Sequence, residues 1–334
     1  MNVTTAPEEY QGEAPPRHRR RRMRLRPRDL SAVYLMVLVV VAFAAWSPSQ
    51  FLREQTIYLV LNQNAIPCLL ALALIVPLTA GVYDLSVGYI LGTSNVFVAA
   101  ILAHSHISGI VVLILGVLLG ALVGVVNALI VVILGIDSFI ATLATGSLLQ
   151  ALILIISNNQ NQTNGITASF TKIVSTTVHG VALPVIYVAV IGLIIWYFLE
   201  HRPVGRELRA TGLGLEAARL VGVRVNLLRF CSLIVSGSVA GFAGGLVAAT
   251  VGGGSPTIGP PYLIPAFTAV FLGATLLRPG LFNVWGTVLS IILLGILDVG
   301  LSLIGVPIWV SYAVSGVVLI AALALTAFSR SRAS

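Results

Sequence analysis

A long succession of apolar runs, separated by short polar breaks, makes up most of this sequence. Hydrophobic residues make up 57% of the chain and charged residues only 9%, and the mean hydropathy is +1.01. Many of the runs are long enough to cross about 30 Å of hydrocarbon as helices. Their apolar residues show no period-two alternation, which argues against a β-barrel. The sequence therefore predicts an all-α polytopic membrane protein.

The apolar runs predict about ten transmembrane helices. They lie at 30–47, 56–79, 86–104, 108–134, 138–157, 181–199, 226–250, 263–277, 283–303 and 307–328. The run at 263–277 is short, so it either spans the membrane or re-enters from one side. Pro67 and Pro77 predict that the second span is kinked or discontinuous.

Basic residues predict which side of the membrane each loop faces. Residues 1–28 form a polar tail with eight arginines, which we expect to be disordered, ahead of a transmembrane domain at 29–329. Six more arginines lie within and just after a wet loop at 200–226. Because cytoplasmic segments are enriched in Lys and Arg, we expect this loop and both termini in the cytoplasm. The tail has no aromatic residue after Tyr10, so nucleic-acid binding is not expected.

The wet loop contains the pattern of a short helix at 215–221. Gly214 can serve as its N-cap, Glu216 lies in the first turn, Arg219 lies in the last turn, and Gly222 ends it. Two helical turns are only marginally stable in water, so we expect the spans behind the helix, and a partner in front, to hold it. The alternative is a solvated connector that merely follows the charge rule.

The chain lacks the elements of a nucleotide-binding or catalytic site. A P-loop needs a lysine after its glycines, and the one lysine of the chain, Lys172, follows Thr171 in a segment without that pattern. His104 and His106 have no cysteine or carboxylate beside them, so a metal site is not expected. We therefore expect a chain that is not an enzyme and that has no catalytic residue, metal or cofactor of its own.

Polar side chains within the predicted spans are candidates for a solute pathway. Amides can exchange hydrogen bonds with a hydroxyl-rich solute without trapping it. Asp298 lies about 22 Å along its span at the helical rise, and a carboxylate at such a place is costly and a functional candidate. The alternative for each side chain is a hydrogen bond that holds helices together. The candidates are Asn62, Asn64, Asn95, Asn127, Gln150 and Asp298.

Two predicted spans carry a glycine at every fourth position. Residues at this spacing share one helical face, where two backbones can approach closely. We expect packing seams, with sliding of the helices as the alternative. The glycines are Gly116, Gly120 and Gly124, and Gly237, Gly241 and Gly245.

The turn after the second span carries the motif TAGVYDLSVG at 79–88. Asp84 or Ser86 can accept hydrogen bonds from the free amides of the following helix, so we expect a structural cap, with a direct role toward a solute as the alternative. The motif resembles the GGIDLSVG stretch of the ribose-type permease subunits of bacterial ATP-binding-cassette importers, with matches at Asp84, Ser86 and Gly88. Further similar stretches follow in order between about 55 and 325. They are GIDSFIATLATGSL at 135–148, GLEAARLVGV at 214–223, GGGSPTIG at 252–259 and FLGATLLRPGLFNVWGTVLSIILLGIL at 271–297.

The resemblance implies a ten-helix permease with several partners. These are a second permease copy, cytoplasmic ATPase subunits that bind ATP and magnesium, and an extracytoplasmic sugar-binding protein. It also implies that the GLEAARLVGV stretch is a coupling helix that contacts the ATPase. The implied coupling residues are Gly212, Glu216, Ala217, Ala218, Arg219 and Gly222. The chain departs from the family at Val82, Tyr83, 278–280 and Asp298, where asparagine is common.

The sequence and the resemblance together predict a bacterial cytoplasmic-membrane permease subunit. Its cargo is expected to be a monosaccharide, ribose-like or xylose-like, or a polyol. Two alternatives stay open. The same machinery could carry branched-chain amino acids or nucleosides, or the chain could be an ion-coupled carrier that uses Asp298.

Overall fold

The structure, a computed structural model, describes residues 31–105, 107–277 and 280–331, which form a helical bundle. The predicted tail at 1–28 lies outside these residues. The helices are α1 Ser31–Trp46, α2 Pro48–Phe51, α3 Glu54–Gln63, α4 Ala65–Thr79, α5 Val87–His104, α6 Gly109–Ala128, α7 Ser138–Ser157, α8 Ala168–Ser175, α9 Leu183–His201, α10 Pro203–Leu213, α11 Leu215–Leu220, α12 Val225–Val251, α13 Leu263–Leu276, α14 Val284–Leu303 and α15 Ile308–Ser331. A π turn at Leu129–Ile133 extends α6, a 3₁₀ turn at Pro260–Tyr262 precedes α13, and a hairpin pairs β1 Thr177–Val178 with β2 Val181–Ala182.

Each predicted span coincides with a helix or a pair of helices. Among the described residues, six helices are long and apolar enough to cross a membrane. The pair α3 and α4 becomes a seventh candidate if the bent pair is one span, and three shorter apolar helices lie at 36–46, 260–276 and 308–321. The chain is thus a helical, multi-pass membrane protein. The full count of ten crossings stays a prediction.

The second span breaks next to one of its two prolines and not at the other. The axes of α3 and α4 differ by 43°, and the break lies at Asn64, three residues before Pro67. Because Pro67 has no N–H, the carbonyl of Gln63 loses its helical donor, which favours a break there. The prediction of a kinked or discontinuous second span is thus confirmed at Asn64, whereas Pro77 lies inside α4, which continues to Thr79.

The core surrounds α4 and α12. Every residue of α4 from Leu69 to Ile75 is fully buried, and α12 packs against α4, α5 and α6. The predicted glycine seams meet each other, since a Cβ built on Gly120 would overlap the carbonyl oxygen of Gly237. This contact joins α6 to α12 at a distance that only glycine permits.

The turns form two groups at opposite ends of the bundle. One group, here called the arginine end, contains the turns at 80–86 and 134–137 and the loop at 202–224. It is held together by a bond of 3.1 Å from the amide of Tyr83 to the hydroxyl of Ser138. The other group, the hairpin end, contains 158–182 and 252–262, joined by paired backbone bonds of 2.8 Å between Gln162 and Gly254.

Candidate functional site

The break between α3 and α4 forms one wall of a polar cavity. The amide nitrogen of Asn64 donates 2.8 Å to the carbonyl of Val60, which closes the last turn of α3. Gly295 on α14 lies directly against the Asn64 amide group, and a side chain there would overlap it. The small residue thus lets the polar break lie next to α14.

The facing wall comes from α14 and α15. On α14, Ile291, Leu294, Asp298 and Ser302 follow helical spacing and therefore share one face. On α15, the lining residues recur at the same spacing and most of them carry hydroxyl groups. They are Ile308, Ser311, Tyr312 and Ser315.

These walls enclose a cavity of about 310 Å³, within the range of small-molecule sites. Gln63 and Asn64 contribute amides, α14 and α15 contribute hydroxyls and the carboxylate of Asp298, and prolines and aliphatic side chains fill the remaining wall. Such a lining offers hydrogen-bond donors and acceptors around an apolar frame, which suits a solute with many hydroxyl groups.

Asp298 is the charged group of this cavity. No other charged residue is found among the described lining residues. Its side chain is exposed to the cavity and, within the described part of the chain, has neither a hydrogen-bond partner nor an ion-pair partner. A carboxylate without a partner is available to a solute.

A second cavity of about 530 Å³ adjoins the first at the hairpin end. The two share Pro261, Tyr262 and Tyr312, and the second is bounded by the loops at 161–163 and 251–258. The two cavities are therefore neighbours, and the second lies between this shared wall and the loops of the hairpin end.

Two other predicted pathway residues, Asn62 and Asn95, bind backbone groups elsewhere. Asn62 accepts 3.0 Å from the amide of Ala182 and so holds the hairpin. Asn95 is fully buried, donates 3.1 Å to the carbonyl of Gly253, and accepts 2.8 Å from the amide of Ser255.

Gln150 and Asn127 also lie outside the Asp298 cavity. The side-chain amide of Gln150 donates to the carbonyl of Pro256 over 3.3 Å. Asn127 is buried and donates 2.8 Å to the hydroxyl of Ser86, near the arginine end. Of the six predicted pathway residues, the structure thus brings together Asn64 and Asp298. Four cavity hydroxyls were not predicted as pathway residues, although their helical spacing is visible in the sequence: Ser302, Ser311, Tyr312 and Ser315.

The motif residue Asp84 forms a buried network. Its Oδ1 accepts from the hydroxyl and the amide of Ser86, at 2.6 and 3.1 Å, and its Oδ2 accepts from the hydroxyl of Ser236 at 2.7 Å. Asp84 lies in the turn between α4 and α5, where burial raises its pKa and the hydrogen bonds from Ser86 and Ser236 oppose the shift. The predicted helix cap is wrong in detail, because no side chain caps α5. Asp84 instead joins the turn to α12 through its bond with Ser236.

Gly88, the third motif position, is the second residue of α5. A Cβ there would come within 3.2 Å of the carbonyl oxygen of Gly259, so its small size allows the 252–259 stretch to lie against α5. Two stretches of the family resemblance are thus in direct contact.

The predicted loop helix is present as α11, with Gly214 as its N-cap and a left-handed Gly222, φ 85°, after its end. Glu216 and Arg219 form an exposed ion pair of 3.1 Å. Leu220 and Val221 are 87% and 78% exposed. The helix therefore presents a surface with both charged and apolar groups at the arginine end.

The other coupling candidates differ in their contacts. Ala218 is buried, whereas Ala217 is exposed. Gly212, in the last turn of α10, lies so close to the turn after α4 that a Cβ would overlap the carbonyl oxygen of Thr79. The loop and the Asp84 turn are therefore in direct contact through Gly212.

Known proteins resemble this chain over most of its length. The family model described as branched-chain amino acid transport system, permease component, matches residues 56–323. The chain is 32% identical to the ribose import permease protein of Bacillus subtilis (strain 168), over 87% of this chain and 90% of the relative. It is 30% identical to the ribose import permease protein of Escherichia coli (strain K12), over 86% and 90%. It is 27% identical to the D-allose transport system permease protein of the same strain, over 87% and 89%. No solved structure matches the chain significantly.

Proposed function

This chain belongs to the family of transport-system permease components, and on that premise we propose that it is the membrane subunit of an ATP-driven importer for a monosaccharide or similar polyol. The observation that carries the proposal is the extent of its similarity to permeases named for ribose and allose. As a permease subunit, it is itself a transport protein and not a catalyst.

The lining of the Asp298 cavity favours a sugar over an amino acid. An amino acid carries both an ammonium and a carboxylate, and a site for it needs a group of each sign or well-placed dipoles. The described lining offers one carboxylate, several hydroxyls and two amides. Neutral hydroxyl groups fit such partners better than a zwitterion does.

The proposed partners supply the functions that this chain lacks, which are ATP hydrolysis and capture of the sugar outside the membrane. The chain has no P-loop lysine, so we assign ATP and magnesium to separate cytoplasmic ATPase subunits. A second permease copy, identical or related, and an extracytoplasmic sugar-binding protein complete the assembly. The arginine end, with five arginines in its loop at 202–224, faces the cytoplasm in this proposal, as do both termini. In this proposal α11 contacts the ATPase. The contacting residues are Glu216 and Arg219 and the exposed apolar residues Leu220 and Val221.

Uptake by proteoliposomes tests the proposal. The permease, its ATPase and its binding protein together should accumulate radiolabelled sugar only when ATP is supplied. Vesicles that contain the permease alone should not accumulate sugar under an ion gradient. Accumulation by the permease alone, lost in Asp298→Asn, would instead support the ion-coupled carrier and refute the importer.

A further inference from the structure

Among the described residues, the lining of the Asp298 cavity combines one carboxylate, which has no partner there, with neutral polar groups. Asp298 and Ser302 lie one turn apart on α14, and Ser311 and Ser315 lie one turn apart on α15. Each of these residues belongs to the wall of the same cavity. The wall also has an apolar part, which includes Leu294 and makes the surroundings of the carboxylate less polar than bulk water.

A low-dielectric wall strengthens the electrostatic effect of Asp298 on a solute. Charges a few ångströms apart interact several times more strongly near such a wall than in bulk water. The described lining holds no arginine, lysine or histidine that would neutralise the carboxylate. An anionic solute in this cavity would therefore meet repulsion without compensation, whereas a neutral polyol would not.

The same carboxylate is a good acceptor for a neutral sugar. Its two oxygens can accept hydrogen bonds from two neighbouring hydroxyl groups of one solute. The serines and Tyr312 can donate or accept, and the amides of Gln63 and Asn64 can do both. All of these groups belong to one subunit.

We propose that the Asp298 cavity is a polyol site within a single subunit that admits neutral and cationic solutes and rejects anionic ones, such as sugar acids and sugar phosphates. The assignment of a sugar as the cargo rests on the proposed function. The charge selection rests on the cavity alone.

Charged thiol reagents test the selection directly. The full-length chain, reconstituted in nanodiscs, carries Ser302→Cys in a Cys231→Ser background, because Cys231 is exposed and Cys68 is buried. The reagents are methanethiosulfonates that bear an ammonium or a sulfonate group. After normalisation to a free thiol, the ammonium reagent should react at least about tenfold faster than the sulfonate, since tenfold corresponds to about 1.4 kcal/mol.

Asp298→Asn in the same background should abolish this preference. The matched control is Asp137→Asn, which removes a carboxylate at the arginine end and leaves a residue that also caps helices well. The control should keep the tenfold preference. An unchanged ratio in Asp298→Asn would overturn the proposal, and so would a Ser302→Cys thiol that neither reagent reaches. If Ser302→Cys fails to fold, Ser315→Cys on α15 takes its place.

Protection by a sugar tests the polyol assignment. D-Ribose at millimolar concentration should slow the labelling of Ser302→Cys severalfold, and D-ribose 5-phosphate at the same concentration should not. In Asp298→Asn, both should protect. Absence of protection by D-ribose would overturn the polyol assignment. These measurements need no ATPase or binding protein, so a loss of sugar uptake alongside a normal charge preference would count against the proposed function and not against this selection.

Discussion

The hydroxyl of Ser236, deep in α12, donates a hydrogen bond of 2.7 Å to Oδ2 of Asp84, a residue 152 positions earlier in the chain. Both residues are fully buried. This bond ties the turn before α5 to the most central helix of the bundle. It also satisfies one oxygen of a carboxylate that burial would otherwise make costly.

Ser236→Ala is expected to destabilise the protein by about 1–3 kcal/mol, because a buried carboxylate oxygen loses its donor. Thermal unfolding of the purified protein in detergent measures this as a lower midpoint. Ser238→Ala is the matched control, since the Ser238 hydroxyl bonds only to the carbonyl of Ile234 in its own helix. Equal midpoints for the two variants would contradict a stabilising role of the bond to Asp84.

Gly120→Ala is expected to lower the free energy of unfolding by about 1–3 kcal/mol, because its Cβ would overlap the carbonyl oxygen of Gly237 and overpack the contact. Gly192→Ala provides the comparison within another span, where the nearest atom, in Leu72, would be 3.5 Å away. Alanine also favours helix there, so this control should unfold at or above the wild-type midpoint. A Gly120→Ala protein as stable as the control would mean that α6 and α12 can separate without loss.

The double variant Glu216→Ala with Arg219→Ala is expected to lower sugar uptake per ATP hydrolysed by about tenfold. A tenfold loss corresponds to about 1.4 kcal/mol of coupling free energy. Its unfolding midpoint should hardly change, because an exposed ion pair contributes little to stability. The measurement compares ATP hydrolysis and uptake in the same proteoliposomes.

The charge-matched control is the double variant Glu54→Ala with Lys172→Ala, which removes one acidic and one basic side chain away from α11. Its co-purification with the ATPase should equal that of the wild type. If the α11 double variant retained wild-type uptake per ATP, this ion pair would have no part in coupling.

Gly212→Ala is expected to disturb the contact between the loop and the Asp84 turn, since its Cβ would overlap the carbonyl oxygen of Thr79. We expect destabilisation of about 1–3 kcal/mol and weaker ATPase stimulation by sugar. Gly214→Ala, two residues on, would place its Cβ 3.6 Å from the nearest atom and should cost less than about 1 kcal/mol as an N-cap change. Indistinguishable hydrogen exchange of the 79–86 segment in the two variants would argue against the contact as a link.

The position of the helices could be predicted from the sequence because the signal is local. Apolar runs and their polar breaks place all the long helices within a few residues, and the glycines around α11 mark both of its ends. The helix α10 was missed, since its charged and polar residues resemble those of a wet loop. Its start at Pro203, a residue favoured in the first turn, was the available signal.

The roles of the amide side chains Asn62 and Asn95 could not be predicted in the same way. Asn95 binds backbone groups of Gly253 and Ser255, which lie about 160 positions away in the sequence, and Asn62 binds the hairpin at Ala182. A polar residue in a span gives no local sign of whether it faces a loop, a neighbouring helix or a cavity. Ser311 and Ser315 of α15 did give such a sign, because their spacing places them on one helical face.

The 43° break at Asn64 divides the predicted second span into two parts with different surroundings. The α4 part is locked in the core by seven consecutive fully buried residues, from Leu69 to Ile75. The α3 part carries Gln63 and touches the hairpin and α14 instead. A rotation about the backbone at Asn64 would therefore move α3 and its Gln63 relative to α14 and change the volume of the Asp298 cavity, while α4 stays fixed in the core.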